Sequence, residues 1–197
     1  RGFTQGFAHK VGSGGFGVVY RARFPNGTPV AVKVLNSTLG RRAEEQFMAE
    51  VGTIGRTHHI NLVRLFGFCY DAADVRALVY EYMEHGALDS YLFDRSRYVG
   101  FQTLRAIAVG VARGLRYLHE ECQQKIVHYD IKPGNVLLDG GLTPKVADFG
   151  LAQLLNRADT HKTVSGMRGT PGYAAPEMCM QSGATEKCDV YSFGILL

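Results

Sequence analysis

The chain has 197 residues, of which 46% are hydrophobic and 20% charged, so it can build a real core and is too apolar for a disordered chain. A net charge of +4 is too mild to argue for a nucleic-acid partner; no apolar run reaches membrane-span length, and residues 1–10 lack a signal-peptide pattern. Residues 1–43 hold seven basic residues and no Asp or Glu, which is either a chance imbalance or a front segment that handles an anion such as phosphate.

The first third reads as antiparallel sheet. Val18, Val19 and Tyr20 are strand formers, and Val30, Val32 and Val34 alternate with Ala31, Lys33 and Leu35. Asn26-Gly27 between them predicts a two-residue hairpin turn with positive φ at both central positions. Over 41–55 the period changes: Ala43, Phe47, Val51 and Ile54 recur at helical spacing. Strand-like runs follow from Leu62 to Tyr70 and from Arg76 to Met83. Leu104, Ile107, Ala108, Val111, Leu115 and Leu118 then form a helical stripe that ends near His119. Short strands are expected at Ile126-Val127, Val136–Leu138 and Lys145–Ala147, followed by a loop from Asp148 to Glu177 and an apolar helix from Asp189. The four cysteines form no C-x-x-C pair and fit no zinc spacing, so reduced thiols in a cytosolic setting are expected.

Three constellations carry chemistry. Gly12-Ser13-Gly14-Gly15-Phe16-Gly17-Val18-Val19 is a G-x-G-x-x-G-x-V pattern, whose glycines let backbone N–H groups approach phosphates. A dinucleotide-binding turn would need a helix directly after it and an acid about 20 residues on. Here a strand and an Asn-Gly turn follow, and no acid precedes Glu44. Lys33, on a strand of small apolar residues, needs a carboxylate if it is buried. Of Glu44, Glu45 and Glu50, only Glu50 shares the inward helical face with Phe47 and Ile54. Residues 128–135 pack Asp130, Lys132 and Asn135 together, and Asp148 follows as a second hard oxygen donor. An acid can take a hydroxyl proton, and amide and carboxylate oxygens can hold a hard cation.

In this order, the glycine loop, Val30-Ala31-Val32-Lys33, His128 through Asn135, Asp148-Phe149-Gly150 and Ala175-Pro176-Glu177 resemble the protein-kinase signature set, across essentially the whole chain. Leu78 to Leu88, Thr53 to His59, Arg168 to Glu177 and Asp189 to Gly194 resemble plant receptor-like kinases of the rust-resistance-like or lectin-type group. The resemblance implies an α+β bilobal kinase fold: a β-rich small lobe over 1–83 and a helical large lobe over 84–197. The family continues past this last helix, so the large lobe is expected to be incomplete and the helix from Asp189 to expose apolar surface. The Arg that pairs with Glu177 in the family would lie in the missing part.

The resemblance also implies roles. Gly12, Gly14 and Gly17 would cover the ATP phosphates; Lys33, paired with Glu50, would hold two of them. Val19, Ala31 and Leu137 would sandwich adenine, Tyr80 would stand at the back of the pocket, and Glu81 and Met83 would bond adenine through their backbone. Asp130 would be the catalytic base, Lys132 would steady the γ-phosphate, and Asn135 and Asp148 would hold Mg²⁺. Ile54, Leu65, His128 and Phe149 would stack as an internal spine. Lys132 with Thr170 matches serine/threonine kinases, with a Ser or Thr hydroxyl of a protein as acceptor. The expected setting is the cytoplasmic side of a membrane, tethered by a segment outside this chain, with no nucleic acid involved. A departure stands at Tyr129, where most kinases carry an Arg that reads phosphate on the loop; candidate hydroxyls there are Thr160, Thr163, Ser165 and Thr170, of which Thr170 is set aside because the resemblance puts it against Asp130. An inactive nucleotide-binding scaffold is the competing reading, against which Lys33, Asp130, Asn135 and Asp148 all stand.

Overall fold

The computed structural model describes residues 9–14, 17–36, 40–71, 75–94, 98–156, 169–178 and 185–197; Gly15, Phe16, Thr160, Thr163, Ser165 and Arg168 lie outside the described residues. Five strands, β1 (Lys10–Gly14), β2 (Gly17–Arg23), β3 (Pro29–Leu35), β4 (Leu65–Tyr70) and β5 (Arg76–Glu81), form one antiparallel sheet in the order β1-β2-β3-β5-β4. The alternation in β3 sorts its side chains by face. Val30 and Val32 join Ala22 and Ala77 in an apolar cluster, while Ala31 and Lys33 face a large cleft.

The turn between β2 and β3 departs from the two-residue form. Gly27 N–H donates to Phe24 O at 2.8 Å and Phe24 N–H donates to Thr28 O at 2.9 Å, and of Asn26 and Gly27 only Gly27 has positive φ, at 85°. This is a three-residue connection with glycine in the left-handed position. The Asn26 side chain accepts the Thr28 N–H instead, at 3.0 Å.

Helix α1 (Arg41–Thr53) buries Ala43, Gln46, Phe47, Glu50 and Thr53 along one stripe. The chain from Asn61 to Arg64 does not join β4 as the strand-like run suggested. Val63 N–H donates to Val146 O at 2.9 Å and Val146 N–H donates to Asn61 O at 2.9 Å, so these backbone groups are spent on the later half of the chain. Leu62 pairs with Val146 in a parallel bridge, and β4 starts only at Leu65.

The later half is mainly helical. It contains β6 (Gly86–Ala87), α2 (Asp89–Leu92), α3 (Phe101–Arg116), β7 (Lys125–Val127), β8 (Val136–Leu138), β9 (Pro144–Val146), β10 (Gln153–Leu155) and α4 (Lys187–Leu196). α3 presents Ile107, Gly110, Val111, Gly114 and Leu115 to the interior and ends in a π turn over Tyr117–Glu121. Gly110 and Gly114 are close-approach sites: a Cβ on either would lie 2.8 or 2.9 Å from Asn61 atoms. β6, β8 and β9 form a small sheet, and β10 pairs antiparallel with β7. β10 was hidden inside the expected loop from Asp148 to Glu177, since three residues are too few to show a period. One core cluster runs through both halves, joining Phe47, Ile54 and Leu78 to Leu118, Ile131 and Phe149. α4 leaves Val190, Tyr191 and Ile195 exposed, as is Leu197 just after it, and Glu177 accepts a bond from the Cys188 thiol at 3.6 Å. This β-rich first half and helix-rich second half make an α+β fold, and among the described residues no helix is long and apolar enough to cross a membrane.

Candidate active site

A cleft of about 950 Å³ lies between the five-stranded sheet and the later half. Val19 and Ala31 line it from the sheet, Leu137 from β8, and Tyr80, Glu81 and Met83 from the end of β5 and the chain beyond. Gly12 also lines it, and Gly14 faces Gly17 across β1 and β2. A Cβ on Gly17 would collide with the Val34 carbonyl, so only glycine lets β2 meet β3 this closely. Glu81 anchors this edge of the cleft: its N–H donates to Arg64 O at 3.0 Å and its carboxylate accepts from Arg64 N–H at 2.6 Å and Lys145 Nζ at 3.2 Å.

Deep in the cleft, Lys33 Nζ donates to Glu50 Oε1 at 2.6 Å and to Asp148 Oδ1 at 2.8 Å. Residues from a strand, a helix and a turn 115 positions further along thus meet at one ammonium. Burial works against the Lys33 charge, but the Glu50 and Asp148 carboxylates overcome it and hold the ammonium above its ordinary range. Glu50 is 1% exposed. Burial pushes its carboxyl up to about 7, with Lys33 pulling it down and Asp148 adding to the rise. The Tyr80 hydroxyl donates to the second Glu50 oxygen. For Asp148, burial is outweighed by Lys33, and its carboxyl sits below the usual carboxylate range. Asp148 adopts left-handed backbone, φ 63°, and its side chain remains 31% exposed to the cleft. Behind it, the fully buried rings of Phe149 and His128 meet edge to face at 4.7 Å. Ile54 belongs to the same core cluster and Leu65 packs against it.

Asp130, Lys132, Asn135 and Thr170 form a second network. Thr170 Oγ1 donates to Asp130 Oδ1 at 2.6 Å, and Lys132 Nζ lies 2.6 Å from Thr170 Oγ1 and 2.9 Å from Asp130 Oδ2. Asn135 Nδ2 donates to Asp130 O at 2.8 Å and to Oδ2 at 2.9 Å, which leaves the amide oxygen for a cation. Asp130 is therefore a carboxylate that already accepts a hydroxyl, with its orientation fixed from the other side. Asn135 and Asp148 both line the cleft. No cluster of three His, Cys, Asp or Glu occurs among the described residues. Mg²⁺ needs no such cage, because it binds through one or two protein oxygens plus substrate phosphates. The donor set fits that ion.

Sequence reasoning gave no role to Asp189, although it underpins this network. At 0% exposure it accepts His128 N–H and Tyr129 N–H, each at 2.8 Å, and faces His119 Nε2 at 2.9 Å. The available signal was an acid leading an apolar helix, a position that demands partners. Val63, Ala147, Asp89 and Gly134 also line the cleft; nothing in their local pattern marks them. None of the described cysteines, Cys69, Cys122 and Cys188, forms a disulfide.

Comparison with known proteins follows this geometry. A G-type lectin S-receptor-like serine/threonine-protein kinase of Arabidopsis thaliana, At1g34300, is 50% identical over 98% of this chain and 23% of its own length. The rust resistance kinase Lr10 of Triticum aestivum is 48% identical over 97% of this chain and 31% of its own length. The G-type lectin S-receptor-like serine/threonine-protein kinase LECRK1 of Oryza sativa subsp. japonica is 50% identical over 98% of this chain and 24% of its own length. The chain thus spans less than a third of these relatives. Residues 6–197 match the family described as protein tyrosine and serine/threonine kinase, and the chain belongs to that family.

Proposed function

We propose that this chain transfers the γ-phosphoryl group of ATP to a Ser or Thr hydroxyl of a protein. The observation that carries the reading is that two networks reach one cleft: Lys33 with Glu50 and Asp148, all of which line it, and Asp130 with Lys132 and Thr170, which meet it through Asn135. Residues 1–83 would close over 84–197, with Val19, Ala31 and Leu137 against adenine and the backbones of Glu81 and Met83 at its edge. Tyr80 would close the back of that pocket. Gly12, Gly14 and Gly17 would bring backbone N–H groups to the phosphates. Lys33, oriented by Glu50, would hold the inner phosphates. Asn135 and Asp148 would hold Mg²⁺, which neutralises charge on the phosphates.

Asp130 would take the proton of the acceptor hydroxyl as its oxygen bonds to the γ-phosphorus; the bond from that phosphorus to the bridging oxygen breaks, and ADP leaves. Lys132 would offset charge on the transferring group. A carboxylate oxygen has two lone-pair sites, so Asp130 can accept the substrate hydroxyl beside that of Thr170. Two relatives are named receptor-like kinases, which supports extending the proposal to a receptor-like protein. In it, this domain would work on the cytoplasmic face of a membrane through a tether elsewhere in the protein.

The test is transfer of label from γ-labelled MgATP to casein by the chain with its native flanking sequence. Asp130→Asn should lower kcat by about 10²–10⁴ while ATP binding changes little. Activity near that of the parent would remove Asp130 from the mechanism.

A further inference from the structure

Residues Thr170 to Tyr173 form a tight turn. Tyr173 N–H and Ala174 N–H both donate to Thr170 O at 3.0 Å. Pro171 and Gly172 stand exposed at its tip, and Gly172 has φ 89°, the positive value that the third position of a type II turn needs. The base of the turn carries the Thr170 hydroxyl that meets Asp130 and Lys132. These backbone bonds close the turn on itself and leave its placement to contacts from outside.

Helix α4 supplies such a contact. Asp189 and Ser192 are three positions apart and share its buried face, at 0% and 4% exposure. Asp189 takes the His128 and Tyr129 N–H groups, which lead into Asp130. The Ser192 hydroxyl lies 3.0 Å from Cys188 O, the carbonyl one turn back to which a helical serine can return its proton. It lies closer, at 2.8 Å, to Tyr173 O, 19 positions away. One face of one helix therefore holds both the chain entering Asp130 and the turn that carries Thr170. The two meet with little slack: a Cβ on Gly169 would lie 2.8 Å from Tyr129 O and 3.3 Å from Ala174 Cβ. Neither Ser192 nor Tyr173 lines the cleft, so their bond has no direct access to a molecule held there.

We propose that Ser192 is a positioning residue: its hydroxyl, by holding Tyr173 O, sets the turn on α4 and so keeps Thr170 Oγ1 within bonding distance of Asp130 and Lys132. The proposal rests on the kinase reading above, and the experiment separates the two.

Amide hydrogen exchange on the chain with its native flanking sequence reads the tie without activity. Ser192→Ala removes the hydroxyl and installs a better helix former, so α4 is kept. The Tyr173 and Ala174 amides should then exchange about tenfold faster, while the His128 and Tyr129 amides, held by Asp189, and the Glu81 amide at the cleft keep their rates. Transfer of label from γ-labelled MgATP to casein reads the consequence. Ser192→Ala should lower kcat by roughly tenfold with KM for ATP unchanged, since a small misplacement beside the reacting groups is costly and the cleft is not touched. A general loss of structure would instead speed all five amides together. Ser192→Cys keeps the volume but offers only a weak donor, so it should follow Ala in both readouts, and it decides alone if Ala does not fold. Unchanged protection at Tyr173 and Ala174, uniform speeding of all five amides, an unchanged kcat, or Cys behaving as the parent would overturn the proposal. A parent protein that transfers no phosphate while the exchange results hold would refute the kinase reading alone.

Discussion

At Glu50, burial, Lys33 and Asp148 act on one carboxyl, and its proton leaves only near pH 7 instead of near 4.5. Folding therefore favours the protonated form. The benefit is complete below the unfolded value and lost as pH rises towards the folded one; at about 1.4 kcal/mol per pH unit, it amounts to about 3 kcal/mol. Glu50→Gln carries no such proton. Its melting temperature relative to the parent should accordingly rise between about pH 5 and pH 8. A constant or shrinking difference would show that the carboxyl stays ionised throughout. Tyr80→Phe removes the hydroxyl that serves the second Glu50 oxygen. Leaving that buried acceptor short of a donor should cost about 1–3 kcal/mol, read as a lower denaturation midpoint with an unchanged m-value.

Between elements, small residues decide how closely backbones approach. α3 meets the Asn61 segment and β9 through Gly110 and Gly114, and the Asn61 amide donates to Pro144 O at 2.9 Å in that notch. Gly110→Ala would press a methyl onto Asn61 and Pro144. It should destabilise by about 1–3 kcal/mol, the usual cost of overpacking. Gly52, in α1, has nothing within 4 Å of the place a Cβ would occupy. Gly52→Ala should stabilise by about 0.5–1 kcal/mol, because only helix propensity changes. Two thermal melts check this pair, and the same sign for both would contradict the notch.

Across the whole molecule, Asp189 ties α4 to the chain that leads into Asp130, while Lys145 reaches from β9 to Glu81 at the end of β5. Asp189→Ala strands two buried backbone donors and removes the partner of His119, which lines a pocket beside α4. The loss should be about 3–5 kcal/mol, comparable to breaking a buried ion pair, against a domain stability of about 5–15 kcal/mol. Circular dichroism with a melt tests it; a shift of only a degree or two would show that water replaces the carboxylate.

What could be read from the residues was whatever repeats or clusters locally. The helix through Phe47 and Ile54, the alternation of Val30 to Val34, and the stripe from Leu104 to Leu118 follow from one period each. The ordered motifs around Lys33, Asp130 and Asp148 made the family legible because their spacing is specific. The tertiary structure alone decided the turn form at Gly27, the diversion of Leu62 to β9, the pairing of β10 with β7 and the partners of Asp189. Each of these joins positions far apart or depends on which backbone groups find partners first. The hydroxyl of Thr170 and the carboxylate of Asp130 are 40 positions apart, and no local pattern encodes such a distance. Only packing the elements together brings those atoms within reach, because a buried polar group must find its partner wherever the fold provides one.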